Sequence, residues 1–235
     1  MTEPIRKKSY RVVVIGAVLT TLELIRILAK EHKVELHVFH QNFSHNISGF
    51  ANIRQFCEVN ALKNKSFNNV SEIENDVISL TPDYIFVVGI SQIVRNSLIE
   101  CSKYCTIGFH PTLLPDGRGR APMAHVLLRN VLPGMTFFKL SQSADQGEII
   151  IQKDIRLDDS DNISSYYDKV LEKLKESVGL GEGNPVMTSY SGPSGTAQEY
   201  MDIGDYTPPN TTSRNVPECC TTGAGYVNQI CDGGV

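Results

Sequence analysis

The feature that most constrains this chain is the alternation of β-branched apolar runs with amphipathic segments across its first 176 residues. Tyr10–Gly16 (YRVVVIG) is a continuous β-branched run, the pattern of a strand covered on both faces. Thr20–His32 then carries Leu24, Ile27 and Leu28 on one helical face, and Val34–His40 alternates as a second strand. Ile53–Leu62 and Val70–Leu80 read as short helices, and Pro82 ends the latter before a buried strand at Asp83–Gly89 (DYIFVVG). Helix is predicted at Ile93–Cys101, strand at Cys105–His110, and helix with proline in its first turn at Pro122–Arg129. Met135–Leu140 and Glu148–Leu157 read as two further strands. Asp161 is the expected cap of a helix running to about Glu176, with Tyr167, Val170 and Leu174 on one side. Strands alternating with helices build parallel sheets. The fold class is therefore α/β, a Rossmann-like, mostly parallel sheet with helices on both faces.

Charge divides the chain. Of 22 basic and 26 acidic residues, 21 and 20 respectively lie in residues 1–176. Residues 177–235 hold one basic residue, Arg214, together with ten of the 18 glycines and five of the 11 prolines. Such a segment has few apolar residues at strand or helix period with which to offset the entropy of ordering. The expected organisation is a domain over residues 1–176 and a Gly/Ser/Thr-rich tail over 177–235, irregular or disordered. A formal charge of -4 without any basic tract speaks against nucleic acid as a partner. No apolar run approaches the roughly 20 residues that span a bilayer. Six cysteines without paired CxxC spacing suit reduced thiols, so the reading is a cytoplasmic protein with no membrane partner.

Two common chemistries lack their motifs. Gly16 is followed by Ala17, Val18 and Leu19, so the glycine-rich turn of a dinucleotide site is missing. His32, His37, His40 and His45 show no ligand spacing, and no metal is expected. The informative string is Gly108–Pro122 (GFHPTLLPDGRGRAP). It follows a strand, where ligands of open α/β sheets bind. His110 emerges at the strand end, Pro111 stiffens the exit, and Leu113-Leu114-Pro115 forms an apolar wall. Arg118 and Arg120 lie in a glycine-rich turn able to offer guanidinium forks to an anionic substrate.

These residues resemble the folate-dependent formyltransferases. The matching motifs are His110-Pro111-Thr112-Leu113-Leu114-Pro115, then Arg118-Gly119-Arg120-Ala121-Pro122, then Ser141-Gln142-Ser143-Ala144-Asp145-Gln146-Gly147-Glu148-Ile149. The run Asp83–Val94 (DYIFVVGISQIV) is similar to the family's folate-pocket strand and turn. The resemblance covers roughly Arg11–Glu176.

The resemblance implies transfer of a formyl group from 10-formyltetrahydrofolate to an amine. Such a reaction passes through a tetrahedral oxyanion and requires a proton to leave the attacking nitrogen. His110 matches the histidine that stabilises the oxyanion and assists the proton. Asp145 matches the aspartate that holds it and receives that proton. Gln92, Ile93, Val94, Leu114 and Ala144 match the walls of the pterin pocket. The implied partner is a small-molecule amine, with an amino sugar or its nucleotide as the leading class, bound with help from Arg118 and Arg120. Gly108 stands where the family has its catalytic asparagine, and it has no side chain to donate to the oxyanion. Two alternatives stay open beside the transferase: an impaired relative that binds folate or a partner without turnover, and a 10-formyltetrahydrofolate hydrolase.

Overall fold

The computed structural model describes residues 9–43, 47–178, 190–191 and 197–198. Seven strands form one sheet: β1 (Tyr10–Gly16), β2 (Val34–Gln41), β3 (Lys63–Phe67), β4 (Tyr84–Val88), β5 (Cys105–His110), β6 (Gly134–Lys139) and β7 (Ile149–Asp154). Their spatial order is β3-β2-β1-β4-β5-β6-β7. The first five run parallel, and β6 and β7 extend the sheet antiparallel from β5. The α/β, mostly parallel architecture read from the sequence is the architecture observed.

Alternation along each strand sorts side chains to two cores. Val12 and Val14 of β1 face a layer containing α1 (Leu19–Leu28), α2 (Ile53–Val59) and α3, the last and longest helix (Ile163–Ser177). Val13 and Ile15 face Val70, Ile73, Val77 and Leu98, contributed by the turns and short helices between β3 and β5. Helices thus cover both faces. The order of strands reverses between β1 and β4, and their carboxyl ends open the crevice where ligands of such sheets bind.

Several local readings needed adjustment. Lys63–Phe67 (KNKSF) is an edge strand whose first three residues are exposed, so it lacks the apolar pattern that would announce it. Val70–Leu80 divides into a 3₁₀ turn at Val70–Glu72 and a helix at Glu74–Ser79. Helix within Ile93–Cys101 is confined to one turn at Asn96–Ile99. Asn162, not Asp161, caps α3: its side chain accepts from the Ser164 and Ser165 amides at 2.9 and 3.2 Å. Asp161 instead accepts from Lys169 Nζ at 2.6 Å. The side chain buried beneath α3 is Tyr166 rather than Tyr167, one residue out of phase with the reading. Most of residues 179–235 lies outside the described residues. Within that stretch Tyr190–Ser191 and Ala197–Gln198 form a short antiparallel pair.

Among the described residues no helix is long and apolar enough to cross a membrane. Cys57, Cys101 and Cys105 are unpaired thiols. Burial pushes the Cys57 and Cys105 thiols up to about 11, because a thiolate would lose its hydration there. Native protein treated with Ellman's reagent at pH 8 should therefore leave both unmodified, and unfolding in denaturant should expose them. Rapid native labelling of either would contradict this burial.

Candidate active site

β5 delivers His110 to the carboxyl edge of the sheet, and the next four residues are fixed by side chains from three other elements. The Thr136 hydroxyl on β6, wholly buried, donates to the Thr112 carbonyl at 2.7 Å and accepts the Leu114 amide at 3.2 Å. Gln152 on β7 donates from Nε2 to the Leu114 carbonyl at 2.7 Å and to the Thr136 hydroxyl at 3.1 Å. Tyr166 on α3 reaches in from below. Its hydroxyl lies 2.9 Å from the Pro111 carbonyl and 3.0 Å from that of Gly134, and accepts the Gly134 amide at 3.0 Å. Burial pushes this phenol up to about 12, so it remains a protonated donor. The Leu114–Pro115 peptide is cis.

The imidazole thus held is 6% exposed and engaged on both sides. His110 Nε2 lies 2.7 Å from the Gly117 carbonyl. A carbonyl can only accept, so Nε2 carries the hydrogen and Nδ1 is the nitrogen that faces the crevice. His110 Nδ1 faces the Asp145 carboxylate, 3.8 Å from Oδ1. Thirty-five positions apart in sequence, the two predicted residues meet at the crevice.

The turn carrying Asp145 is anchored to the Arg–Gly loop. Asp145 adopts a left-handed backbone (φ 53°), which aspartate tolerates better than most side chains. Its other carboxylate oxygen accepts the Gly119 amide at 3.0 Å, and its carbonyl accepts Arg118 Nε at 2.9 Å. Gly117 and Gly119 both take positive φ, the freedom that lets the loop fold back over the pair. Arg118 is therefore partly committed to Asp145. Arg120 is exposed, with no hydrogen bond or ion pair among the described residues.

The residues expected to line a pterin pocket are placed less uniformly. Gln92 spends its side-chain amide on the Val70 amide (2.7 Å) and the Asn68 carbonyl (2.8 Å), clamping the β4 exit to the turn after β3. Ile93 is 89% exposed, Ala144 is exposed, Val94 is half-buried and Leu114 is 4% exposed. The main-chain groups of Ile90–Val94 form no hydrogen bond among the described residues.

The first turn of α1, the other anion site such a fold offers, is occupied by the protein itself. The Leu19 amide donates to the Gly49 carbonyl at 3.1 Å and the Thr20 amide to the Tyr167 hydroxyl at 3.1 Å. The Val18 side chain packs where a side chain on Gly89 would lie. The absence of a dinucleotide turn after Gly16 thus has a physical counterpart: those amides are already satisfied.

Gly108, which the resemblance sets at the family asparagine, has no room for a Cβ unless neighbouring side chains shift. A Cβ there would lie 2.6 Å from Cζ of Phe138 and 2.9 Å from Cδ1 of Leu140. Sequence reading missed Thr136, Phe138, Gln152 and Tyr166. The signal available was a lone threonine in the apolar run GMTFFK, and a glutamine interrupting IIIQKD. Thr136→Val should strip partners from the Thr112 carbonyl and the Leu114 amide, costing about 1–3 kcal/mol of unfolding free energy in urea titration. An unchanged midpoint would show that this hydroxyl does not hold the loop.

The sequence model described as formyl transferase matches residues 24–178. The methionyl-tRNA formyltransferase of Ehrlichia canis (strain Jake) is 36% identical over 107 residues, 45% of this chain and 35% of that protein. That of Anaplasma marginale (strain St. Maries) is 28% identical over 149 residues, 58% of this chain and 50% of that protein. The chain thus spans about a third to a half of the length of these relatives. Among solved structures, a phosphoribosylglycinamide formyltransferase from Anaplasma phagocytophilum superposes with a TM-score of 0.62 at 17% identity, over 86% of this chain and 97% of that one. A 4-N formyltransferase from Francisella tularensis gives 0.58 at 22% identity, over 71% and 65%. At such identities these two likenesses establish the fold, and the family model establishes kinship: the chain belongs to the formyl transferase family.

Proposed function

We propose that this chain moves a formyl group from 10-formyltetrahydrofolate to the amine of a small molecule, with His110 and Asp145 as its catalytic pair. The observation that carries the reading is their encounter at 3.8 Å, with His110 Nε2 already committed to Gly117. The acceptor nitrogen forms a bond to the formyl carbon, and the bond from that carbon to N10 of the folate breaks. Protonated His110 Nδ1 donates to the developing oxyanion. Asp145 takes the proton shed by the acceptor nitrogen, which finally reaches N10 of the leaving folate. The separation of 3.8 Å is longer than a hydrogen bond, which leaves the Nδ1 hydrogen for the oxyanion.

The free peptide groups of Ile90–Val94, together with Leu114 and Ala144, form the proposed pterin site. Because the first amides of α1 are engaged, recognition of the acceptor falls to the loop of Arg118 and Arg120. Two guanidinium groups suit one or two phosphates of an amino-sugar nucleotide better than the polyanion of a nucleic acid. The free thiols fit a cytoplasmic setting.

Incubation with 10-formyltetrahydrofolate and a panel of amines, comprising amino-sugar nucleotides, glycinamide ribonucleotide and methionyl-tRNA, tests the proposal. The expected result is tetrahydrofolate release dependent on a small amine, reduced about 100-fold or more in His110→Asn and Asp145→Asn. Arg120→Ala should raise the acceptor KM with little change in that for the donor. Formate release without any acceptor would identify a hydrolase, and donor binding without turnover an impaired relative.

The same proposal assigns catalysis to residues 1–176 and none of it to 177–235. Val178 is buried in the core and α3 ends at Ser177, so a truncation belongs after Val178. Such a truncation should unfold within a few degrees of the full chain, equivalent to about 1 kcal/mol. A chain that no longer folds would show that the remaining residues cover part of the domain.

A further inference from the structure

Phe138 stands directly opposite Gly108 across the β5–β6 pair and is 2% exposed. Its Cζ and Cε1 lie 2.6 and 2.9 Å from where a Cβ on Gly108 would be. On its other flank, Cδ2 lies 3.3 Å from where a Cβ on Gly147 would be, and that Cβ would also run into the Lys139 carbonyl. The ring therefore occupies a slot with a glycine on each side. Gly108 precedes His110 by two residues, and Gly147 follows Asp145 by two. Hydrogen bonds close the frame around the slot: the Lys139 amide donates to the Glu148 carbonyl at 2.8 Å, and the Leu140 amide to the Thr106 carbonyl at 2.7 Å.

We propose that Phe138 is a positioning residue for the reaction: its ring, wedged between Gly108 and Gly147, sets the separation of His110 from Asp145 and excludes any side chain from position 108. The functional half of this inference rests on the formyl-transfer reading. Close-packed interiors resist compression, so a ring filling the slot fixes the spacing of the strand end and the turn beside it. Shortening the ring lets the turn settle towards β5 or leaves a void. An asparagine at 108 requires the Phe138 ring and the Leu140 side chain to shift, because its first carbon would lie within 3 Å of both. Glycine here and phenylalanine opposite act as one exchange of volume between two strands.

The test uses Phe138→Ala, Phe138→Leu, Gly108→Asn and the double variant Gly108→Asn with Phe138→Val. Thermal unfolding is measured for each. Tetrahydrofolate release from 10-formyltetrahydrofolate is followed with the same panel of amino-sugar nucleotides, glycinamide ribonucleotide and methionyl-tRNA as acceptors. Gly108→Asn alone should lower the melting temperature by more than about 5 °C, and the double variant should recover at least half of that loss. Phe138→Ala should lower kcat by about 10- to 100-fold with the donor KM within about twofold, and Phe138→Leu should restore most of it. The inference is overturned if Gly108→Asn is as stable as wild type with Phe138 in place, if the double variant gains nothing, or if Phe138→Ala keeps kcat within about twofold. Wild-type protein that releases no tetrahydrofolate would sink the transferase reading. The volume exchange would then be decided by the melting temperatures, and a positioning role in formyl transfer would fall with the reading.

Discussion

The hydroxyl of Thr136 lies in the middle of β6 with no access to water, giving its hydrogen to the Thr112 carbonyl and taking one each from Leu114 and Gln152. The remainder of the site is built out from this knot. A chain leaving a parallel strand normally turns into solvent, where its amides and carbonyls are satisfied by water. Here residues 111–114 are held inside the domain, so their polar groups need partners there, and β6, β7 and α3 each supply one. His110 is consequently carried on a stretch with little freedom. An imidazole that faces a carboxylate and a carbonyl at once depends on that rigidity.

Asp145 is constrained from the opposite side. Its left-handed backbone, the Gly119 amide on its carboxylate and Arg118 on its carbonyl bind the turn of β6–β7 to the loop after β5. Because Gly117 also accepts from His110, one loop touches both members of the pair. Movement of residues 117–119 must therefore alter His110 and Asp145 together. The antiparallel extension of the sheet matters for the same reason. It places β6 beside β5 and returns the chain through Ser141–Gly147 to the same edge, which a parallel crossover would not do within so few residues.

Much of this was legible in the sequence, for physical reasons that differ from residue to residue. Strands buried on both faces are mostly apolar, so YRVVVIG, DYIFVVG and CTIGFH announced β1, β4 and β5 nearly to the residue. The proximity of His110 and Asp145 was legible because three motifs occur in order, although neither residue is exceptional by itself. The edge strand KNKSF escaped notice because solvent, not a core, selects its side chains. Tyr166 was displaced by Tyr167 because adjacent tyrosines leave the helical phase to be set by which ring finds a buried partner. The surroundings of Gly108 were the hardest to read. A missing asparagine looks like a lost donor from β5 alone, and Phe138, thirty positions away, becomes visible only once register places it opposite.

The central claim is that His110 and Asp145 act as one unit upon a folate-borne formyl group. A double-mutant cycle with His110→Asn and Asp145→Asn, read as kcat/KM for tetrahydrofolate release from 10-formyltetrahydrofolate, tests it most directly. Groups that serve a single proton path are strongly non-additive, so the double variant should be no slower than the slower single variant within about threefold. Losses that multiply, each variant subtracting its full effect from the other, would contradict a shared path and separate the two residues.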